Sequence, residues 1–210
     1  MIIQGILACN QNHIIGVGDA IPWYHKGDLK RFFTLTKGHV LLMGAKTFIG
    51  MMNNYTKVDS EVLPGRQIIV VGKSRNGIPL EDSINELAKN KNILLTNVMT
   101  MEQGINAFHD LEIIQDILMS NIFNVKTLNP ILFICGGASV YERYLNHASM
   151  IYLTIVDVQL STIKTSYSDY VCLEPLTIKI LEAYKTLDRA YLIGTERYED
   201  INAEFYELKL

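Results

Sequence analysis

Four nearly continuous apolar runs constrain the fold of this chain more than any other feature. They span Ile2–Cys9, Val40–Met43, Ile68–Val71 and Ile131–Cys135. Runs of this kind are typical of strands buried on both faces, as in a sheet that helices cover on its two sides. Helical patterns lie between the runs, and strands that alternate with helices favour an α/β fold with a mostly parallel sheet.

The helical patterns are placed by apolar residues that recur at helical spacing. We expect helices over Asp28–Thr36 and Ala45–Met51. Thr100–Gln103 has the form of a capping box, and we expect a longer helix to follow it.

Two stretches are expected to be loop excursions, Met52–Val62 and Asn76–Asn92. Within the second of them, Ser83–Glu86 has the form of a capping box and predicts one short helix. We find no internal repeat and no linker rich in proline or serine.

The last third of the chain differs, because its apolar stretches favour antiparallel strands. Ile151–Val158 is predicted to be a strand, and Tyr184–Ile193 and Ala203–Leu210 are strand-like with a polar connection between them. Two closing strands of this type usually add an antiparallel edge to a parallel sheet.

Length and charge limit the classes of protein that fit. A chain of 210 residues is expected to form one domain over residues 1–210 with a sizeable core. Its net charge of −3 gives no reason to expect a nucleic-acid or anionic-membrane partner. The start, Met1–Cys9, lacks a basic region and is too short for a membrane span, so it fits a buried strand.

The cysteines and histidines give no sign of a disulfide framework or a metal site. Cys9, Cys135 and Cys172 are odd in number and form no CxxC pair, which predicts a reducing, cytoplasmic setting. The five histidines lack the spacing of metal ligands. No long apolar surface stripe is left unassigned, which favours a monomer.

A glycine-rich loop with the only tryptophan precedes a carboxylate on an otherwise apolar helix face. The loop spans Gly16–Trp23, and Asp28 follows it beside Leu29 and Phe32. A carboxylate against such a face is poorly solvated, so it is able to hold or relay a proton near neutral pH. The alternative is that Asp28 simply caps the helix, because aspartate is a preferred N-cap residue.

Three of the buried strands run into small or basic residues. The turns are Gly44–Thr47, Gly72–Arg75 and Gly136–Ser139. In an open α/β sheet, ligands bind beyond the carboxyl ends of the strands, where helix N-termini and bare glycine backbone accommodate phosphates. Lys46, Lys73 and Arg75 would supply positive charge. No GxGxxG or GxxxxGK[ST] motif is present, so a dinucleotide would bind differently from the usual Rossmann crossover.

Taken in chain order, these motifs resemble those of the dihydrofolate reductase family. The residues that carry the resemblance are Ile15-Gly16, Ile21–Trp23, Asp28-Leu29, Phe32, Thr36, Met43–Phe48, Leu63–Arg66, Ile134–Tyr141 and Tyr152–Thr154. The resemblance extends from the N-terminus to about Tyr170 and is weaker beyond. The loop excursions and substituted motif positions are similar to those of a divergent, phage-type member.

The resemblance implies a single-domain fold with a mostly parallel eight-stranded sheet, helices on both faces and an antiparallel C-terminal edge. It also implies hydride transfer from NADPH to C6 of 7,8-dihydrofolate, with protonation at N5. Asp28 would pair with the amino group and N3 of the pterin, a bidentate contact suited to a carboxylate. Thr154 would hold Asp28 through its hydroxyl.

The family's other substrate contacts carry over to residues of one pocket. Arg66 would bind the glutamate α-carboxylate with its planar guanidinium, the alternative being a solvated turn arginine. The remaining walls and backbone contacts would come from Ile6, Ala8, Leu29, Phe32, Leu63 and Cys135.

On the cofactor side, the resemblance assigns the diphosphate and the adenosine 2′-phosphate to residues that follow strands. Gly44, Lys46 and Thr47 would meet these phosphates, with Ser74 and Arg75 near the 2′-phosphate. The other implied cofactor contacts are Ala8, Ile15, Gly16, Gly136, Gly137, Ala138, Ser139, Val140 and Tyr141.

Three further features follow from the resemblance. A cis peptide is expected to join Gly136 and Gly137. Tyr141 would lie near the nicotinamide, or would be only a packed tyrosine at the start of a helix. The loop Gly16–Trp23 would close over the nicotinamide and exclude water, which gives Trp23 a place in the catalytic machinery.

Several positions depart from the family pattern. Ala45 stands where a basic residue is frequent, so NADPH preference is less secure than folate binding. Lys164 stands where an acidic residue is usual, and Phe48 replaces a common tryptophan. The insertion Met52–Val62 adjoins the folate entrance.

Two other functions are compatible with parts of the pattern. A pyrimidine reductase of riboflavin synthesis shares the fold and the cofactor, but its substrate has no pterin or glutamate to match Asp28 and Arg66. A folate-binding or structural protein without turnover is the other alternative. Dihydrofolate-dependent oxidation of NADPH separates that protein from the enzyme.

Overall fold

The chain folds around one large sheet, as a computed structural model shows. The model describes residues 1–53, 63–72, 80–90, 97–100, 107–119, 129–158 and 169–209. The strands are β1 Ile2–Asn10, β2 Ile14–Val17, β3 Val40–Gly44, β4 Gln67–Gly72, β5 Asn97–Thr100, β6 Ile131–Ile134, β7 Met150–Asp157, β8 Tyr170–Cys172, β9 Ala190–Tyr198 and β10 Ile201–Lys209. The helices are α1 Lys26–Thr36, α2 Ala45–Asn53, α3 Leu80–Asn90, α4 Ala107–Met119, α5 Ala138–Tyr144 and α6 Pro175–Thr186.

The sheet has eight strands in the order β5-β4-β3-β6-β1-β7-β10-β9. All pairings from β5 through β7 are parallel, whereas β10 runs antiparallel to both β7 and β9. This confirms the expected α/β architecture with a mostly parallel sheet and an antiparallel C-terminal edge. Because the parallel strands share one direction, the carboxyl ends of β3, β4 and β6 lie at one edge of the sheet.

Helices cover both faces of the sheet, as the uninterrupted apolar runs predict. One buried cluster joins strand residues to Val140 of α5 and Leu181 of α6. The opposite cluster joins Leu41 and Val70 to Phe48 of α2 and Ile84 of α3, and Phe32 of α1 packs on it. Alternate residues of each strand therefore serve two cores, which explains why these strands have no polar face.

The predicted helices over Asp28–Thr36 and Ala45–Met51 are confirmed, each slightly longer than expected. Two other predictions are wrong. Tyr184 belongs to helix α6 and not to a strand, because Thr177, Leu181 and Tyr184 are buried at helical spacing behind Pro175 at the first helical position.

The helix expected near Ser83 is confirmed as α3, but its predicted start is wrong, because Ser83 lies inside α3, which begins at Leu80. Most of the predicted excursion from Asn76 to Asn92 is therefore helical. Met52 and Asn53, expected to begin the other excursion, are the last two residues of α2, and residues 54–62 lie outside the described residues. Thr100 is the last residue of β5, and the rest of its proposed capping box lies outside the described residues.

A small second sheet shapes the glycine-rich loop and was not expected. Strand β2 pairs antiparallel with β8, with Gly16 opposite Val171 and Val17 opposite Tyr170. In the described part of the chain, no helix is long and apolar enough to cross a membrane.

Candidate active site

Asp28 lies in the first turn of α1, and His25 caps that helix. The imidazole Nδ1 of His25 accepts the backbone N–H of Asp28 at 3.2 Å, and its Nε2 lies 3.3 Å from the carbonyl oxygen of Glu196. His25 is buried between this carbonyl and the rings of Tyr198 and Phe205. The alternative in which Asp28 itself caps the helix is therefore wrong, and its carboxylate is available for other contacts.

The Asp28 carboxyl group is half-buried, and two opposing influences act on its pKa. Burial raises the pKa above its usual value of 3.8, because the charged form loses hydration. A hydrogen bond from the Thr154 hydroxyl and the charges of His25 and Arg31 act in the opposite direction, and the net shift is upward. The protonated form of Asp28 is therefore more favoured at this site than it is in water.

The sheet places a row of residues beneath α1. Ala8 on β1 lies opposite Thr154 on β7, and Thr154 lies opposite Phe205 on β10. Residues paired across a ladder point to the same face, so Ala8 and Thr154 lie on the α1 side of the sheet with Ile6 two residues earlier. Thr154 is only 2% exposed, so the packing around it holds its side chain in this row.

The expected apolar walls come together on the α1 and α2 side of the sheet. Ile6 belongs to the buried cluster there, and Phe32, Leu63 and Cys135 pack against it. Leu29, next to Asp28, is half-buried. Burial raises the pKa of the Cys135 thiol well above its usual range, so Cys135 is a neutral apolar contact.

Arg66 is fixed to the C-terminal half of α1. Its Nε donates to the Thr36 hydroxyl at 2.8 Å, and its two terminal nitrogens donate to the carbonyls of Pro64 at 2.7 Å and Phe33 at 2.5 Å. The side chain is buried with 6% exposure and its guanidinium lies 5.1 Å from the Phe33 ring centre. The alternative of a solvated turn arginine is therefore wrong.

Tyr141 connects α5 to the first strand at the carboxyl edge of the sheet. Its hydroxyl donates to the Ile6 carbonyl at 2.9 Å, and the ring lies beside Gly136. The expected cis peptide between Gly136 and Gly137 is confirmed. The Gly136 carbonyl accepts the N–H of Gly44 at 2.8 Å, so the ends of β3 and β6 are joined where phosphates were expected.

The glycines at this edge make room that a larger residue would fill. A Cβ on Gly137 would come within 2.8 Å of the Thr47 hydroxyl, and one on Gly44 would lie 3.2 Å from a Val140 methyl group. The hydroxyl of Thr47 and the bare backbone of Gly137 thus form a narrow cradle, and a phosphate-bearing cofactor fits these residues. The other residues assigned to the cofactor at the start of α5 are Ala138 and Ser139.

Lys46 is exposed at the start of α2 and faces the glycine-rich loop. Its Nζ lies 3.9 Å from the Asp19 carboxylate. Ser74 and Arg75, the other residues expected near the 2′-phosphate, lie outside the described residues, as does Lys164.

The glycine-rich loop is held at both ends. Ile15 and Gly16 lie in β2, and the backbone N–H of Gly18 donates to the Asp169 carbonyl at 2.8 Å. At the other end, Trp23 packs on a small cluster that contains Val156 and Phe205.

Sequence reasoning missed two residues of the site, His25 and Arg31. Arg31 lies one turn after Asp28, and its Nη1 donates to the Thr154 hydroxyl at 3.4 Å. The i, i+3 spacing of an aspartate and an arginine on one helix was a readable signal, because such residues share a face. Histidine is outside the usual N-cap residues, so no comparable signal pointed to His25.

The fold and the site together define an α/β protein with a half-buried carboxylate in a cleft beside α1 and a glycine-lined edge of parallel strands. A family model described as dihydrofolate reductase matches residues 2–86 and 80–170. The chain belongs to the dihydrofolate reductase family.

Two bacterial dihydrofolate reductases are similar to the chain in sequence. The chain is 29% identical to dihydrofolate reductase type 9 of Escherichia coli over 157 residues, which is 75% of this chain and 70% of the relative. It is 28% identical to dihydrofolate reductase type 3 of Salmonella typhimurium over 173 residues, or 82% of each chain.

A solved structure shows the same fold. Dihydrofolate reductase from Enterococcus faecalis, complexed with NADP(H) and RAB-propyl, aligns with a TM-score of 0.58 and 17% identity. The alignment covers 99% of this chain and 96% of that one.

Proposed function

We propose that the cleft beside α1 binds dihydrofolate at Asp28 and that the carboxyl edge of the sheet binds NADPH. The chain is a dihydrofolate reductase, which reduces 7,8-dihydrofolate to tetrahydrofolate with NADPH. The observation that carries the assignment of the site is the half-buried Asp28 carboxylate, held by Thr154 above the row that Ile6 and Ala8 begin.

Asp28 is the residue that binds the pterin. Its two oxygens accept from the pterin amino group and from the neighbouring ring nitrogen, a paired contact that a carboxylate makes well. Because burial raises its pKa, Asp28 also supports proton delivery to N5 near neutral pH. Thr154 keeps the carboxylate oriented.

The length of the substrate lies along α1. Ile6, Leu29, Phe32, Leu63 and Cys135 form the apolar walls. At the far end, Arg66 meets the glutamate α-carboxylate, with a guanidinium whose orientation is fixed in advance by its bonds to Thr36 and Phe33. Such preorganisation reduces the entropy lost on binding.

NADPH supplies the hydride when it is bound. The backbone of Gly44, Gly136 and Gly137, with the Thr47 hydroxyl, holds the diphosphate, while Lys46 and Arg75 with Ser74 attract the 2′-phosphate. Ala138, Ser139 and Val140 line the same edge. Ala8, Ile15 and Gly16 border the nicotinamide end.

Two aromatic residues complete the reacting region. Tyr141, hydrogen-bonded to the Ile6 carbonyl, keeps that strand end in place beside the nicotinamide. Burial raises the pKa of Tyr141 well above its usual range, so it acts as a neutral donor. The loop Gly16–Trp23 excludes water from the site when it closes, with Trp23 as its anchor on the Phe205 cluster.

The experiment that tests these roles is the loss of NADPH absorbance with and without dihydrofolate, for the purified protein and for Asp28→Asn. We expect oxidation that requires dihydrofolate and that falls by about 10²–10⁴-fold in the variant. Oxidation that stays within a few-fold of the wild type at neutral pH would remove Asp28 from its assigned role. Tight folate binding without any oxidation would favour a binding or structural protein.

Monomeric and cytoplasmic states are part of the same proposal. Cys9, Cys135 and Cys172 are all free thiols, which is usual in a reducing compartment. Light scattering of the purified protein at several concentrations would test the monomer, and a mass that rises to twice the chain mass would contradict it.

A further inference from the structure

Arg31 is fixed in the cleft by neighbours on two strands. Its Nη1 donates to the Leu153 carbonyl of β7 at 3.1 Å, and its Nη2 donates to the Tyr206 carbonyl of β10 at 2.9 Å. The guanidinium carbon also lies 5.5 Å from the Tyr152 ring centre and 5.2 Å from that of Phe205. A side chain with contacts of this number has one orientation, and its planar group suits bonding to two strands at once.

The β10 strand is irregular at this place. Its pairing with β9 shifts register between Phe205 and Tyr206, and the Tyr206 carbonyl is the one that accepts from Arg31. Arg31 therefore attaches α1 to the sheet where the ladder departs from regular pairing.

The same arginine determines which way the Thr154 hydroxyl points. Arginine carries only donors, so the bond of 3.4 Å between Nη1 and the Thr154 oxygen uses a lone pair of the hydroxyl. The single hydroxyl proton is then left for the Asp28 carboxylate, whose pKa is lowered by hydrogen bonding to Thr154. In the described part of the chain, no salt bridge joins Arg31 to Asp28, whereas the Thr154 hydroxyl contacts Arg31 and lowers the pKa of Asp28.

We propose that Arg31 is a positioning residue of the reductase, which fixes the Thr154 hydroxyl as a donor to Asp28 through a guanidinium held by the Leu153 and Tyr206 carbonyls. The inference rests on the proposed role of Asp28. It adds a residue that acts on the proton-bearing group through a threonine.

Other ionisable groups face this pair from four directions. They are His25 before α1, Tyr152 on β7, Tyr141 on α5 and Glu207 on β10. His25 uses its Nδ1 to accept from the backbone, and Glu207 lies 3.5 Å from the Lys209 ammonium. Only Arg31 carries a permanent positive charge when it is compared with these four groups. The largest influence that lowers the pKa of Asp28 is the Thr154 hydrogen bond, followed by the charges of His25 and Arg31, so Arg31 acts on Asp28 mainly through Thr154.

The direction of the pH effect follows from these contacts. The reduction takes up a proton, so its rate falls as the pH rises through the pKa that governs proton delivery. Arg31 and Thr154 lower the pKa of Asp28 against the larger effect of burial. Removing Arg31 therefore raises that pKa, and the alkaline fall of the rate moves to higher pH.

The test is the pH dependence of hydride transfer in single turnovers, from about pH 5 to about pH 9, with NADPH and with its deuterated form to isolate the chemical step. We expect Arg31→Met to move the alkaline limb up by about one pH unit, so that its rate relative to its own plateau is about tenfold higher there. Lys30→Met is the matched control, because Lys30 is the exposed neighbour of Arg31 and carries the same charge. The rate of Lys30→Met should fall at the same pH as the wild-type rate.

Two further variants separate orientation through Thr154 from simple charge and from a loss of packing. Arg31→Lys keeps the charge but has no planar group to join both strands, so its limb should move most of the way to that of Arg31→Met. In a Thr154→Val background, Arg31→Met should cause little further movement, because the residue through which it acts is gone. Arg31→Lys also keeps the test valid if Arg31→Met does not fold.

Three outcomes would overturn the inference. If the rate of Arg31→Lys falls at the same pH as the wild-type rate, the positive charge alone explains the effect of Arg31. If Arg31→Met shifts the pH dependence equally with and without Thr154, the threonine does not transmit that effect. A uniform loss of rate at all pH values would leave Arg31 a merely structural residue. Failure of the proposed function is distinguishable, because it would show as absent dihydrofolate-dependent oxidation in the wild type or as full activity of Asp28→Asn.

Discussion

The backbone carbonyl of Asp19 lies directly against Gly50 of α2, so that a Cβ on Gly50 would come within 2.5 Å of the carbonyl oxygen. This contact and the ion pair between Asp19 and Lys46 hold the tip of the glycine-rich loop against the second helix. The position of the loop therefore depends on the absence of a side chain at residue 50.

Gly50→Ala should displace this loop, because a backbone oxygen has no side-chain rotation by which to move away. We expect kcat/KM to fall by about tenfold or more, since small displacements at a reacting site are costly. Gly194→Ala is the control, because nothing lies within 4 Å of a Cβ there. Equal steady-state kinetics in the two variants would show that the contact does not affect the reaction.

Asp28→Asn should increase stability at neutral pH while it abolishes most activity. The folded-state pKa of Asp28 lies above its ordinary value of 3.8, so folding favours the protonated form. The contribution of protonated Asp28 to the free energy of unfolding is fully present below about pH 3.8. It is lost as the pH rises through the pKa that Asp28 has in the folded protein. The stability gain of the variant should thus be larger at about pH 7.5 than at about pH 4.5, as urea unfolding at the two values would measure. A gain that is the same or smaller at the higher pH would contradict this sign.

Arg66→Ala should raise the KM for dihydrofolate more than it lowers kcat, because it removes uniform binding. The buried bonds to Thr36, Pro64 and Phe33 add a second effect, a loss of about 2–3 kcal/mol in the free energy of unfolding. A shorter substrate analogue without the glutamate is the matched ligand. Its KM should be similar for the variant and the wild type, and an equal rise for both ligands would argue against a contact with the carboxylate.

Lys46→Ala should weaken NADPH binding more than NADH binding, because only NADPH carries the 2′-phosphate. We expect the Kd for NADPH to rise about tenfold, a modest effect because the lysine is exposed. Asp19→Asn removes the partner of Lys46 and leaves the lysine, so it should keep the preference for NADPH. Titration of both cofactors by fluorescence would measure these constants, and equal losses for both in Lys46→Ala would refute the assignment.

Strands buried on two faces were predictable from sequence because continuous apolar runs leave few alternatives. Val40–Met43 and Ile68–Val71 lie in the centre of the sheet, where helices cover both faces. Helix α6 was not predicted as a helix, because its last residues from Tyr184 were included in the strand-like stretch Tyr184–Ile193 and its buried Thr177 is polar. Strand β5, with four residues, is too short for a periodic pattern.

Candidate site residues could be named from the sequence where backbone chemistry restricts the residue type, as at Gly44 and Gly137, and where a carboxylate interrupts an apolar face, as at Asp28. Contacts made by side chains across the fold were harder to foresee. Arg31 meets β7 and β10 more than 120 residues later in the chain, and no local pattern specifies that meeting.

Helix α1 is fastened near both of its ends, by His25 at its first turn and by Arg66 at Thr36. A rise of 1.5 Å per residue separates Asp28 from Thr36 by about 12 Å along the axis. In their proposed roles, Asp28 and Arg66 bind the two ends of the substrate. The length of helix α1 between them therefore sets the length of ligand that fits. A molecule satisfies the carboxylate and the guanidinium together only if its two polar ends are spaced to match the helix, so the cleft selects by size as well as by charge.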